Sequence, residues 1–172
     1  DIVREGGARM TGSAEGKGRG TLGDEARVER RGGKGLLSDR RGDGAAVRRI
    51  TDDGDDIMIS CEGIIIRVNA ADIGTKSRCG SGVRVMRLGN CDEIVGVSIV
   101  KEGATLMTVS AEGKGRRTLV DEYRVQRRGG KGILNYRRGD VAAVQMITDD
   151  DDIIMTSFEG IIIRMPAADI GT

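Results

Sequence analysis

The sequence predicts an all-β, propeller-like array of about three and a half four-stranded units, and three observations predict it. First, the chain matches itself without gaps at an offset of 97 residues, pairing Asp1–Thr75 with Ser98–Thr172, and 53 of those 75 pairs are identical. Second, two unrelated markers share a finer period. The pattern S-x-E-G recurs at Ser13, Ser60, Ser110 and Ser157, spaced 47, 50 and 47, and R-x-G-x-G recurs at Arg31, Arg78 and Arg128, spaced 47 and 50. Periods of this size belong to propeller blades or to helical arrays. Third, no segment sustains an apolar stripe at 3.6-residue spacing for three turns, so strands are expected and helices are not.

The elements follow in chain order. Asp56–Val68 reads as an apolar run, a tight turn and a second apolar run, which is a hairpin signal. Leu106–Val120 repeats it as LMTVS, AEGKG, RRTLV, and Asp152–Met165 repeats it again around Phe158-Glu159-Gly160. Turn clusters at Thr51 (TDDGD) and Thr148 (TDDDD) separate further short strands such as VAAVQMI. A fourth R-x-G-x-G falls due at about position 175, which predicts that the last unit is incomplete. With Asp1 at its start, the chain is expected to be a single region, residues 1–172, of a longer polypeptide.

Composition narrows the chemistry. There is no His and no Trp, only 2 Tyr and 1 Phe, and 28 Gly among 172 residues. Without His there is no Ser-His-Asp or Cys-His unit and no His-ligated zinc, and any catalysis would rest on carboxylates, Lys or Cys. Cys61, Cys79 and Cys91 are an odd number without C-x-x-C spacing, which reads as a reducing, cytoplasmic setting. They are expected to be small core or turn residues, since Cys61 aligns with Phe158 in the other copy. No apolar run approaches the ~18 residues of a membrane span.

The strongest motif is QRRGGKG, residues Gln126, Arg127, Arg128, Gly129, Gly130, Lys131 and Gly132. Its near copy after Glu29 is Arg30, Arg31, Gly32, Gly33, Lys34 and Gly35. Paired guanidinium groups beside glycines that tolerate positive φ suit contact with a phosphate chain. A nucleotide-binding P-loop does not fit, because Lys131 and Lys34 are followed by Gly132 and Gly35 and not by the hydroxyl that would reach magnesium. The bland alternative is a solvated glycine turn.

The run Glu112–Leu134 (EGKGRRTLVDEYRVQRRGGKGIL), the later TDDDDIIMTSFEGIIIRMPAADIG and the earlier RCGSGVRVMRLGNCDEIVGVSIV resemble the C-terminal domain of DNA gyrase A over nearly the whole chain. The segment Gln126–Gly132 is similar to that family's seven-residue box. The resemblance implies a partial β-pinwheel, a propeller-like ring whose blades exchange strands and whose basic rim wraps double-stranded DNA. It implies that the box bends the DNA, with Lys114, Arg116, Arg117, Arg137 and Arg138 as flanking contacts and Arg30–Gly35 as a second box. It also implies a parent enzyme, an ATP-hydrolysing type II topoisomerase assembled as A2B2 from gyrase A and gyrase B in the bacterial cytoplasm. ATP and magnesium would serve that parent elsewhere, leaving no cofactor, metal or catalytic centre in this segment. The corresponding part of topoisomerase IV usually has a degenerate box and is the alternative, together with a protein-binding propeller scaffold. Two departures stand out: the extra box, with Glu29 in place of Gln, and the near-identical 97-residue duplication.

Net charge is only +1, yet the charges are segregated. Residues 113–140 carry nine bases against Asp121, Glu122 and Asp140, whereas residues 141–172 carry Arg164 against six acids. If such a basic stretch engages roughly eight phosphates, log K falls with log salt at a slope of about −7. The scarcity of aromatics argues against stacking on single strands, so backbone contact and DNA deformability are expected to govern recognition.

Other motifs read blandly. Asp149–Asp152 lacks the spacing of a calcium loop and is expected to be a turn. Asp121 and Glu122, adjacent on an extended chain, would point to opposite faces and do not converge on one substrate. Tyr123 is expected to pack, not to act as a nucleophile. Gly12, Gly23, Gly44, Arg9, Ala26 and Asp56 replace Val109, Val120, Val141, Leu106, Tyr123 and Ile153. The first copy is therefore expected to be the less stable half.

Overall fold

The computed structural model describes residues 8–13, 16–22, 44–50, 54–74, 82–137 and 140–172. Strands dominate them, and the helical elements are one four-residue turn, α1 (Ala70–Ile73), and the 3-10 turns Val120–Glu122 and Ala167–Asp169. Each of the three follows a hairpin at the same repeat position. Asn69 caps α1 by accepting a hydrogen bond from the Ala71 amide at 3.0 Å.

Four hairpins give the repeat its frame: β1 (Ala8–Ser13) with β2 (Lys17–Leu22), β4 (Asp55–Ser60) with β5 (Ile64–Asn69), β8 (Thr105–Ser110) with β9 (Gly115–Leu119), and β13 (Asp152–Thr156) with β14 (Ile162–Pro166). In the first three units a long return strand pairs antiparallel with the first strand of the hairpin. These are β3 (Gly44–Ile50) on β1, β7 (Ile94–Ile99) on β4 and β12 (Val141–Ile147) on β8. The first two sheets are then extended by residues from the next unit. The short β6 (Val83–Arg84), from the second unit, pairs with β2 of the first. The third unit gives β10 (Val125–Gln126), parallel, and β11 (Ile133–Leu134), antiparallel, to β5 of the second. The sheets run β3-β1-β2-β6, then β10-β5-β4-β7 with β11 also on β5, then β12-β8-β9, then β13-β14. The expected all-β pinwheel is therefore present, and its strands are exchanged between neighbours.

The S-x-E-G marker is explained by its glycine. Gly16, Gly63, Gly113 and Gly160 all turn their hairpins at φ between +77° and +82°, a region costly to residues with a Cβ. Two of them also meet the next unit. The Gly16 carbonyl accepts from the Val85 and Met86 amides at 3.0 and 3.1 Å, and the Gly63 carbonyl accepts from Asn135 and Tyr136 at 2.9 and 3.2 Å.

The core lies between sheets in three layers. In β4 successive side chains serve different layers. Met58 joins Ile66, Val68, Val85 and Val97, while Ile57 and Ile59 join Leu106, Val120, Tyr123 and Val144. Met107, Ile147, Ile153 and Ala167 form the third layer. A strand buried on both faces reads as a continuous apolar run, which is why the β4–β5 segment does not alternate.

The expected weakness of the first copy is not a property of that whole half. Ile57, Ile65 and Ile66 have no exposed surface, whereas their second-copy counterparts Ile154, Ile162 and Ile163 are 65%, 65% and 51% exposed. Position in the stack decides burial, because sheets flank β4–β5 on two sides. The replaced positions themselves do matter: Leu106, Val120, Tyr123 and Val141 are buried.

Candidate nucleic-acid interface

The box Gln126–Gly132 begins at the end of β10 and runs up to the start of β11, so both of its ends are fixed to β5 of the preceding unit. Its middle is held as well. The Gly129 amide donates to the Val85 carbonyl at 2.6 Å, the Gly130 carbonyl accepts from the Arg87 amide at 2.9 Å, and Met86 bridges Gly130 in parallel. The result is a short rigid loop with Arg127, Arg128 and Lys131 exposed. Residues Arg124–Gly130 line a shallow open depression.

The glycines serve this geometry differently from the sequence expectation. Gly129 and Gly132 adopt φ of +79° and +77°. A Cβ at Gly132 would stand 2.6 Å from the Ile65 carbonyl oxygen and 2.6 Å from Ile64 Cγ2, and one at Gly130 would stand 3.0 Å from Gln126 Oε1. Gly132 is thus pressed against the protein's own β5 and Gly130 against Gln126 within the box, while a Cβ at Gly129 would meet only the Arg84 carbonyl oxygen at 3.8 Å. Gln126 folds its amide beneath the loop, where its Nε2 is buried without a hydrogen-bond partner among the described residues.

Lys114, Arg116 and Arg137 are exposed and share a second concave surface with Leu134, Asn135 and Tyr136. Lys114 donates to Glu112 at 2.9 Å, a contact that raises its pKa. Arg116 donates to the Asn135 carbonyl at 3.2 Å, tying this surface to the residues that follow the box.

Arg117 requires a correction. It is 5% exposed and faces inward, donating from Nε to Thr105 Oγ1 at 3.0 Å, from Nη1 to the Ala167 and Ile170 carbonyls at 2.9 and 3.2 Å, and from Nη2 to Asp149 at 2.6 Å. Arg67 does the same one unit earlier, donating to Asp55 at 2.8 Å and to the Val120 and Tyr123 carbonyls at 3.3 Å. Each arginine fastens its hairpin to the 3-10 turn of the next unit, so Arg117 is an inter-unit latch and not a surface cation. Arg138 and the first-copy box, Arg30–Gly35, lie outside the described residues, as does Cys79.

Sequence reasoning missed two cations. Arg84 and Arg87 are exposed and belong to the second unit, yet their backbone borders the box. Only the strand exchange brings them there, and no local motif marks them. The Asp run divides into separate tasks: Asp149 meets Arg117, Asp151 accepts from the Thr148 amide and hydroxyl, and Asp152 pairs with Arg164. No group of three or more metal-ligating side chains occurs among the described residues. Cys61 Sγ donates to Asp92 at 3.2 Å in a turn, and Cys91 is exposed. No helix among the described residues is long and apolar enough to cross a membrane.

Strand-exchanging β units with a cation-bearing glycine loop at the joint define a propeller-type repeat protein with an exposed cationic loop. A family model described as DNA gyrase C-terminal domain, beta-propeller, matches residues 51–101 and 104–143, more than half of the chain. The chain belongs to that family. It is 31% identical over 159 residues to DNA gyrase A of Staphylococcus aureus strains MRSA252 and NCTC 8325, spanning 88% of this chain but only 18% of the relatives' length. Among solved structures, a DNA gyrase A C-terminal domain superposes with a TM-score of 0.83 at 22% identity, covering 97% of this chain and 58% of that one. The C-terminal domain of DNA topoisomerase IV superposes at 0.87 with 14% identity, covering 99% and 55%. At these identities the superpositions speak for the fold alone.

Proposed function

We propose that this chain is a DNA-wrapping module of a gyrase-like type II topoisomerase. The observation that carries the reading is the box, which presents Arg127, Arg128 and Lys131 to solvent from a backbone hydrogen-bonded to a neighbouring unit. A loop fixed before DNA arrives loses little entropy on binding, so its cations can impose a path on the duplex as well as attract it. Arg84, Arg87 and Arg124 lengthen the positive track on either side. The binding is to phosphates and is indifferent to sequence, with bending set by DNA deformability.

In this reading the module needs neither ATP nor magnesium. Those belong to other parts of an A2B2 enzyme, which would act on the chromosome in the bacterial cytoplasm. The intact QRRGGKG favours a gyrase over a topoisomerase IV.

Ligation of a nicked plasmid in the presence of the chain tests the proposal. The closed product is expected to gain positive linking number with added protein, and Arg127→Ala with Arg128→Ala should abolish the gain. Salt-insensitive binding, or none, would overturn it in favour of a protein-binding scaffold, which the exposed Phe158, Ile161 and Ile162 would then serve.

A further inference from the structure

The box loop is closed at its base by side chains that lie outside the motif. Tyr123, three residues before Gln126, is 4% exposed and donates its hydroxyl hydrogen bond to Asn135 Oδ1. Asn135, three residues after Gly132, is 7% exposed and extends the network, its Nδ2 donating to Thr108 Oγ1 at 2.9 Å. Thr108 stands on β8 with 1% exposure, so the network is anchored in the third sheet. The preceding unit holds the same two residues by their backbone: the Tyr123 carbonyl accepts from Arg67, and the Asn135 amide donates to the Gly63 carbonyl. Buried polar networks of this kind are expensive when incomplete and fix one geometry when complete.

Comparing the repeats separates the clamp from generic packing. In the second unit the positions of Tyr123, Asn135 and Thr108 are taken by Ile73, Val85 and Met58, all buried in one apolar layer, and the loop between Ile73 and Val85 carries no box. An apolar base therefore suffices to fold a unit. The third unit departs from it where QRRGGKG is intact. In the first unit the corresponding residues are Ala26, Ser38 and Thr11, which supply neither the ring hydroxyl nor the amide.

We infer that Tyr123, Asn135 and Thr108 are positioning residues that set the direction of Arg127 and Arg128. The inference rests on the wrapping function proposed above.

Two readouts on the full chain test it. Tyr123→Phe removes one oxygen and leaves every cation in place. Amide exchange in the absence of DNA should be about tenfold faster at Gly129 and Arg87, whose amides hold the box, with β4 and β5 unchanged. Unchanged exchange at these two amides overturns the clamp whatever the DNA result. In plasmid ligation, Tyr123→Phe should keep its affinity for a short linear duplex yet lose more than half of the linking-number gain per bound molecule. Tyr123→Ile with Asn135→Val and Thr108→Met rebuilds the apolar base of the second unit. It should recover thermal stability but not the linking-number gain, and recovery of both would mean that the network only stabilises the fold. If the unaltered chain gives no gain, the wrapping function fails and the clamp is decided by the exchange experiment.

Discussion

Ile65 and Ile162 occupy the same position in the identical stretch EGIIIR, yet Ile65 has no exposed surface and Ile162 is 65% exposed. The difference comes from neighbours. β5 carries β10 and β11 of the following unit at its edge, and no strand beyond β13 pairs with β14 among the described residues. Fully burying an isoleucine contributes about 1.5–3 kcal/mol, so three such positions per hairpin separate the two copies decisively. Amides of Ile64–Arg67 should exchange far more slowly than those of Ile161–Arg164, and similar rates would contradict the layering.

Glycine replacement offers a controlled comparison. Gly63 and Gly160 share φ near +80°, but a Cβ at Gly63 would stand 2.3 Å from the Tyr136 carbonyl oxygen, while one at Gly160 meets nothing within 4 Å. Gly160→Ala should cost only the conformational strain, about 1–2 kcal/mol. Gly63→Ala adds a clash with backbone that must shift and should cost clearly more in urea denaturation. Equal losses would mean that the next unit is not seated on Gly63.

Arg117 should behave as a fastener. Its removal leaves the Ile170 carbonyl without this donor and takes one of two partners from the Ala167 carbonyl and the Thr105 hydroxyl, and breaking a buried ionic contact of this type costs roughly 3–5 kcal/mol, reduced here because Asp149 is exposed. Arg117→Ala is expected to speed amide exchange in β13 and β14 while leaving the salt slope of DNA binding unchanged. A slope shallower by one would return Arg117 to the phosphate contacts.

Arg84 and Arg87 should do the reverse. Both are exposed beside the box, so Arg84→Ala with Arg87→Ala should make the salt slope shallower by about two with little change in melting temperature. An unaltered slope would confine the DNA path to the box itself.

Asp56 makes stability depend on pH. It is 1% exposed and sits beside Asp55, and burial first, then that neighbouring charge, push its carboxyl up to about 7. The folded chain therefore holds a proton that the unfolded chain releases near pH 4, so the contribution of Asp56 to stability is full below that value and is lost as pH rises through 7. Asp56→Leu, which installs the residue found at Leu106, should flatten this decline and raise the melting temperature at pH 8. An undiminished decline would place the titrating group elsewhere.

Much of this architecture is legible in the sequence. The hairpins at Asp56, Leu106 and Asp152 follow from apolar runs around S-x-E-G, and the period announces a repeat. What escapes is every interaction that crosses from one unit to the next. β6, β10 and β11 are two residues long and carry no β signal of their own, since their pairing is supplied by β2 and β5. For the same reason Arg117 passes for a rim cation although Arg116, its neighbour on β9, is exposed: strand alternation places one of the two inward, and only the Ala167 turn shows which. The box glycines are conspicuous, while their use against Ile64 and Ile65 depends on a segment more than sixty residues away.

The strand exchange has a consequence for synthesis. A ribosome delivers β5 before β10 and β11, so the surface on which the third unit's box is built already exists when QRRGGKG emerges from the tunnel. The dependence runs one way: the second hairpin can form while the box is still inside the ribosome, whereas the box has no strand to lie on without that hairpin. The third unit's loop is thus shaped on its predecessor, and the chain acquires the geometry of its exposed cations in the order in which it is translated.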